Sequence, residues 1–147
     1  PTTALDVTIQ AQILDLMRKL KEELGMTILF ITHDLGVVAE MAQRGIVMYG
    51  GRVVEEAPVG DLFAAPRHPY TRGLITCIPK MDDPRETLDV IQGIVPSPRD
   101  FPKGCRFHPR CPYARDICRE LEPEEHTIGA TKVSCHFPLG VDEAQEG

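Results

Sequence analysis

Four cysteines in the last third of the chain are the residues with the clearest chemistry. They are spaced Cys105-x5-Cys111-x6-Cys118-x16-Cys135 and lie among prolines and short loops. Four thiolates in a segment with little apolar periodicity favour a bound metal centre, because such a segment buries too little surface to offset its chain entropy. Buried, unliganded thiols are the other interpretation of these residues. The fifth cysteine, Cys77, is assigned to packing.

The intervals between these cysteines bear on which metal they would hold. Zinc sites usually take ligands from close pairs two to four residues apart, which are missing here, whereas an iron-sulfur cluster accepts four thiolates from more varied loops. The spacing therefore favours iron. A zinc site in which histidine replaces a thiolate stays open, and its candidate ligands are His108, His126 and His136.

His33 is the main candidate outside the cysteine segment. It follows Met26–Ile31, a short apolar run that predicts a strand buried on both faces of a parallel sheet. Ligands of open α/β sheets bind at the carboxyl ends of the strands. An imidazole at that place could donate a hydrogen bond to a phosphate oxygen or hold an attacking water. The alternative is a structural histidine at a strand end.

The elements that position His33 are predicted from hydrophobic periodicity and from capping residues. An amphipathic helix is expected over Thr8–Leu24, capped at its start by Asp6 or Thr8 and ended by Gly25 in the left-handed conformation. Its predicted inward face consists of Ile9, Ile13, Leu16, Met17, Leu20 and Leu24. A second helix, over Asp34–Gln43, would complete a right-handed parallel crossover to the strand Ile46–Tyr49.

Further along, tight-turn and proline signals set the remaining boundaries. Gly50 and Gly51 predict a hairpin between Ile46–Tyr49 and Arg52–Glu55, because both central residues of such a turn need positive φ. Short helices are predicted over Pro58–Ala65 and Tyr70–Cys77. After these, nine of the thirteen prolines mark a loop-rich region.

Composition excludes several classes. The formal net charge of −6 and the absence of a basic stripe argue against nucleic-acid binding. The longest apolar run falls far short of the roughly 20 residues of a membrane-spanning helix. An odd number of cysteines favours thiols or metal ligands in a reducing cytoplasm over a disulfide framework. The start at Pro1, without Met or a signal sequence, is interpreted as a cut in a longer protein.

Three segments together resemble ABC ATPases. Pro1-Thr-Thr-Ala-Leu-Asp6, the Thr-His-Asp sequence around His33 and the hairpin Val47–Glu55 are similar to the D-loop, the switch histidine and the hairpin that follows it in that family. The resemblance implies that Asp6 acts across the interface between two ATPase subunits. It implies that His33 contacts the γ-phosphate of ATP, bound with Mg²⁺, as a catalytic group.

The sequence also departs from that family. It contains no phosphate-binding P-loop, no Q-loop, no signature motif and no Walker B strand with its glutamate. Phosphoryl transfer needs a lysine, a backbone cradle and Mg²⁺ to neutralise developing charge. The complete subunit is therefore expected to be an ATPase, and this piece alone is expected to be inactive.

Two further motifs resemble one branch of the family. His68-Pro-Tyr-Thr-Arg-Gly-Leu74 and the four-cysteine segment are similar to the C-terminal extension of ATPases in oligopeptide, dipeptide and nickel importers. The resemblance implies a 4Fe-4S cluster on Cys105, Cys111, Cys118 and Cys135, with Zn²⁺ as the alternative. It also implies peptide import, membrane permease subunits, a solute-binding protein, and a peripheral position on the cytoplasmic face of the membrane.

The expected architecture is an α/β fold with part of a P-loop ABC ATPase sheet, including an antiparallel hairpin, followed by the cysteine-containing extension. The predicted divisions are 1–65 for the ATPase part, 66–140 for the extension and 141–147 for a flexible tail. Two other functions stay open, an independent metal-binding or redox module and a soluble ABC ATPase without a permease. The solute also stays open between dipeptide, oligopeptide and nickel.

Overall fold

A computed structural model describes residues 7–78 and 91–141 of the chain. The chain divides into two compact units, Pro1–Ala42 and Gln43–Gly147, called here the N-terminal unit and the C-terminal unit. The division predicted from composition, between residues 65 and 66, stays a prediction about the complete protein.

The N-terminal unit contains two helices close to the ranges predicted for them. Helix α1 spans Val7–Leu24 and helix α2 spans Leu35–Met41. Gly25 has φ +62°, so the predicted left-handed end of α1 is confirmed. Asp34 caps α2, because its side chain accepts hydrogen bonds from the first free N–H groups of that helix.

The strand predicted between these helices is not formed. Residues 26–31 belong to no strand, and Leu29 and Ile31 are 82% and 94% exposed. A strand needs a neighbour for its backbone hydrogen bonds, and the described residues offer none to this segment. The prediction over Met26–Ile31 is therefore wrong for this structure, and the parallel crossover and partial P-loop sheet are not confirmed.

The inward face predicted for α1 is also corrected. Leu14 is the buried apolar residue of this helix, at 5% exposure, and it was absent from the predicted face. Four members of that face are exposed, namely Ile9, Leu16, Leu20 and Leu24. Periodicity locates an apolar stripe on a helix, but burial depends on what covers it.

The C-terminal unit is built on an antiparallel sheet. Strand β1 (Arg44–Tyr49) and strand β2 (Arg52–Pro58) form the predicted hairpin. Gly50 and Gly51 have φ values of +56° and +78°, which confirms the expected turn conformation. Strands β3 (Glu125–Ile128) and β4 (Thr131–Ser134) form a second hairpin, which the sequence analysis did not predict.

The two hairpins join into one four-stranded sheet of order β1-β2-β4-β3. The junction is antiparallel, with Glu55 opposite Val133 and Glu56 opposite Lys132. Every strand pair among the described residues is antiparallel. The hairpin predicted as part of the ATPase sheet therefore shares a sheet with residues of the cysteine-rich segment.

Short helices surround this sheet. The predictions over Pro58–Ala65 and Tyr70–Cys77 are confirmed within one residue by α3 (Val59–Ala64) and α4 (Pro69–Thr76). A 3-10 turn at His108–Arg110 and helix α5 (Asp116–Glu120) lie in the cysteine-rich segment. A core of Tyr49, Val54 and Phe107 packs beside them.

Candidate functional sites

His33 lies in an exposed bend between the apolar segment and α2. The residues on either side of it hold this bend. Thr32 Oγ1 accepts a hydrogen bond from the Asp34 amide at 2.9 Å. Asp34 Oδ1 in turn accepts from Gly36 N at 2.9 Å and Val37 N at 3.2 Å. The Thr-His-Asp sequence therefore fixes a turn that presents the imidazole to solvent.

Asp6, the other residue predicted to act on nucleotide, lies outside the described residues. Its role, and its relation to His33, stay predictions.

The four predicted metal ligands come together in the C-terminal unit. Cys105, Cys111, Cys118 and Cys135 line a single pocket. They form no disulfide. Residues up to 30 positions apart in sequence thus meet at one place, as the cluster hypothesis requires.

Different elements bring these cysteines to the pocket. Cys111 ends the 3-10 turn, Cys118 lies in α5 and Cys135 directly follows β4. Cys105 is tied to α5 because its amide donates to the Cys118 carbonyl at 2.9 Å. Gly104 permits that approach, since it has φ +70° and a Cβ there would lie 2.5 Å from the same carbonyl oxygen.

Burial makes three of these thiols, those of Cys105, Cys111 and Cys135, weaker acids. It raises the pKa of Cys105, and it raises the pKa of Cys111 and of Cys135 to about 12, with the neighbouring thiols adding to the effect. Backbone N–H groups oppose this rise, those of Phe107 and His108 at Cys105 and that of Phe137 at Cys135. Because thiolate is the ligand form, metal binding here would release protons.

Two of the three histidines considered for zinc adjoin the pocket. His108 and His136 line it, and each donates a ring N–H to a backbone carbonyl 2.9 Å away, that of Cys105 and that of Leu121. His126 is exposed on β3. Within residues 7–78 and 91–141, no group of three or more His, Cys, Asp or Glu side chains is arranged so that it could hold a metal ion.

His68, the first residue of the His-Pro-Tyr motif, lines the same pocket and is only 1% exposed. It caps α4, since its Nδ1 accepts a hydrogen bond from Tyr70 N at 3.0 Å. Burial lowers the pKa of His68 to about 4. The ring is therefore neutral near pH 7. The motif was predicted to be structural, and these contacts give it a place in the wall of the cysteine pocket.

Glu55 holds the same segment from the sheet. Its carboxylate is 1% exposed and accepts from Arg67 N at 2.7 Å and His68 N at 2.8 Å. A buried carboxylate is stabilised by such amide donors. Sequence reasoning missed Glu55, because it is one of three charged residues in β2 and nothing local distinguishes it from the other two.

An aromatic cluster backs the pocket. Tyr49, Tyr70 and Phe107 pack with ring centroids 4.8–5.3 Å apart, and His68 lies 5.7 Å from Phe107. Phe107 was also missed, although it lies between two of the cysteines. Such edge-to-face packing makes the wall of the pocket rigid as well as apolar.

None of the helices in the described part of the chain is long and apolar enough to span a membrane.

Known proteins are similar to this chain in amino-acid sequence. Residues 54–118 match the family described as oligopeptide/dipeptide transporter, C-terminal region. This match covers the His-Pro-Tyr motif and three of the four clustered cysteines. Over these residues the chain is similar to the C-terminal region of oligopeptide and dipeptide transporters.

Individual relatives extend the similarity across most of the chain. The dipeptide transport ATP-binding protein DppD of Haemophilus influenzae is 51% identical over 95% of the chain. The oligopeptide transport ATP-binding protein AppD of Bacillus subtilis is 56% identical over 89%. A putative peptide import ATP-binding protein of Brucella ovis is 55% identical over 84%.

The chain spans 42%, 40% and 38% of the length of these three relatives. The predicted resemblance is confirmed: the chain is similar to part of the ATP-binding proteins of peptide importers and matches their C-terminal region over residues 54–118.

Proposed function

We propose that the complete protein is the ATP-hydrolysing subunit of an ABC importer that energises the uptake of dipeptides or oligopeptides across the cytoplasmic membrane. The observation that carries this proposal is 51% identity, over 95% of the chain, to a dipeptide transport ATP-binding protein. The exposed Thr-His-Asp turn adds support, because it presents an imidazole that a nucleotide phosphate can reach.

In this proposal His33 contacts the γ-phosphate of Mg²⁺-bound ATP. The imidazole donates a hydrogen bond or orients the attacking water, while Thr32 and Asp34 hold the turn in place. Asp6 would act across the interface with a second ATPase subunit. The lysine, backbone cradle and magnesium ligands of phosphoryl transfer would come from parts of the subunit that this sequence does not contain.

The test is His33→Ala in the complete subunit assembled with its permease. We expect steady-state ATP hydrolysis to fall on the order of 100-fold, the typical loss when one transition-state hydrogen-bond donor is removed. His126→Ala is the matched control, because this histidine is also exposed but lies on β3. Hydrolysis at the unaltered rate in the His33 variant would contradict the proposal.

The partners proposed for the complete protein are two permease subunits, a second ATPase subunit and, indirectly, a solute-binding protein, with a peripheral position on the cytoplasmic face. The names of the relatives favour peptides over nickel. Uptake of a labelled dipeptide, a labelled oligopeptide and Ni²⁺ into vesicles holding the assembled importer separates these solutes. Uptake of Ni²⁺ alone would assign the nickel function instead.

We infer further that the four clustered cysteines hold a 4Fe-4S cluster. In such a cluster each thiolate binds its own iron, so four sulfurs around one pocket suit it without converging on one ion. The backbone N–H groups at Cys105 and Cys135 favour thiolate there. A single Zn²⁺, with His108 or His136 in place of a thiolate, is the alternative at this pocket. When bound, the cluster would supply binding free energy to the fold and one-electron chemistry.

The test is analysis of iron and acid-labile sulfide in protein purified without oxygen. We expect both in the unaltered protein and their loss in Cys111→Ser. The control is Cys77→Ser, since Cys77 does not line the pocket. Zinc without sulfide would assign the alternative metal, and absence of any metal would refute the inference.

A further inference from the structure

The C-terminal unit contains a second cavity, larger than the cysteine pocket, to which the proposed function gives no role. This cavity, called here the hairpin cleft, has a volume of about 200 Å³. Its walls come from the β1–β2 hairpin, from the loop at residues 105–107 and from the chain just before β3. Pockets for drug-sized ligands enclose roughly 300–1,000 Å³, so the hairpin cleft suits a smaller molecule.

The floor of the hairpin cleft is apolar. Tyr49, Val54 and Phe107 line it, and these three residues are the buried core of the unit, each at 7% exposure or less. A ligand that places an apolar group on this floor removes it from water, which favours binding. The ligand should therefore carry a small apolar side chain.

Arg106 is the lining residue that is best placed for an anion. Its guanidinium donates to the Gly50 carbonyl and lies 4.6 Å from the centre of the Phe101 ring, so it is held from two sides. Gly50 allows this placement, because a Cβ there would lie 3.0 Å from the Phe101 ring and 3.3 Å from Arg106 Cδ. A guanidinium has five N–H donors, and none of the described residues gives Arg106 a carboxylate partner. A half-buried guanidinium fixed in this way favours a carboxylate ligand.

Glu122 supplies a negative group at the rim of the hairpin cleft. Its two oxygens pair with Arg52 Nε at 3.1 Å and Arg52 Nη2 at 3.4 Å, and both side chains are more than half exposed. A carboxylate has about four acceptor positions, so Glu122 can also accept from an ammonium group. The cleft therefore offers a donor for a carboxylate, an acceptor for an amine and an apolar surface for a side chain.

We propose that the hairpin cleft binds a dipeptide, with its carboxylate on Arg106, its α-amine on Glu122 and an apolar side chain on the floor. The shared chemistry is that of a small apolar zwitterion, which an amino acid also has. The choice of a dipeptide rests on the proposed function, because an importer of peptides releases them on the side of the membrane where its ATP-binding subunit is proposed to lie. Imported peptide would then occupy a site on the subunit itself.

The test is isothermal titration calorimetry of the complete subunit, purified without permease and solute-binding protein, with alanyl-leucine as the probe. We expect saturable binding that weakens about 10- to 100-fold when the peptide carboxylate is replaced by an amide, because a charge-assisted hydrogen bond is lost. Arg106→Gln should weaken binding of the free peptide by a similar factor. The control is Arg119→Gln, since Arg119 is exposed on α5 and does not line the cleft.

Glu122→Gln tests the amine end at an exposed position and keeps the inference testable if Arg106→Gln does not fold. Acetylation of the peptide amine should weaken binding to the unaltered subunit, and this difference should disappear in Glu122→Gln but persist in the control Glu124→Gln.

Absence of saturable binding, or unaltered binding to both the Arg106 and the Glu122 variants, overturns the site. Tighter binding of leucine than of alanyl-leucine overturns the dipeptide assignment. A subunit that supports dipeptide uptake yet fails these titrations leaves the proposed function standing. Uptake of Ni²⁺ alone by the assembled importer refutes the peptide function, and the dipeptide assignment of the cleft with it.

Discussion

The two units carry their candidate sites in opposite surroundings. In the N-terminal unit, His33 is exposed, and Leu14 and Val37 are the buried apolar residues among those described. In the C-terminal unit, four cysteines and His68 line one pocket backed by a packed aromatic core. The first site presents the His33 imidazole to solvent. The second site brings the four cysteines and His68 together inside the C-terminal unit.

This difference separates two ways in which a residue serves function. A side chain that meets its ligand from outside must remain accessible, so it contributes little to folding. A side chain in the wall of a buried site is held by the same contacts that hold the fold. Mutations should therefore divide into those that change stability and those that change activity alone.

The largest stability loss is expected at Glu55. Glu55→Ala leaves the amides of Arg67 and His68 without their buried acceptors, which should cost about 3–5 kcal/mol of unfolding free energy. Urea denaturation measures this loss. The control is Glu56→Ala, because its partly exposed ion pair with Arg44 is worth under about 1 kcal/mol. Equal losses of unfolding free energy at the two positions would show that the buried carboxylate of Glu55 does not contribute the expected stability.

The next effect depends on pH and concerns His68. Its pKa is lowered from 6.5 to about 4, so folding favours the neutral ring. The corresponding stability is fully present above pH 6.5 and is lost as pH falls towards 4. The difference in unfolding free energy between the unaltered chain and His68→Asn should therefore change by up to about 3 kcal/mol across this range. Parallel pH curves for the two proteins would show that the ring is not buried as a neutral group.

Local signals predicted much of the fold. The end of α1 at Gly25 and the Gly50-Gly51 turn depend on glycine at positive φ, which is a property of the residue itself. The strand predicted over Met26–Ile31 failed for the opposite reason. An apolar run shows that a segment favours burial, but pairing depends on a neighbouring strand that the described residues do not provide.

The sequence predicted the cysteines of the pocket but not the other residues that line or support it. Composition and spacing identified four cysteines that do line one pocket. Glu55 and His68 are placed near the pocket by contacts between residues far apart in sequence. Strand β2 pairs with β4, and the Glu55 carboxylate accepts a hydrogen bond from His68 N at the start of α4. In β2 the adjacent residues Val54 and Glu55 are both buried, which breaks the alternation that sequence reasoning uses.

A smaller effect is expected at the turn that carries His33. Asp34→Ala removes the cap of α2, and the two amides at its start lose their acceptor. The cost should be about 1 kcal/mol of unfolding free energy, while Asp34→Asn should cost less because Asn also caps helices. Thermal unfolding followed by circular dichroism compares the two variants. Equal losses would mean that the charge of Asp34, and not its capping geometry, stabilises the turn.

The smallest effect on stability is expected at His33 itself. The imidazole is exposed, so His33→Ala should change the unfolding free energy by less than about 0.5 kcal/mol. The same variant is expected to lose ATP hydrolysis in the complete subunit, which Asp34→Asn should largely retain because the turn is preserved. A destabilisation at His33 as large as that of Asp34→Ala would show that the ring supports the fold, and loss of hydrolysis could then no longer be assigned to contact with nucleotide.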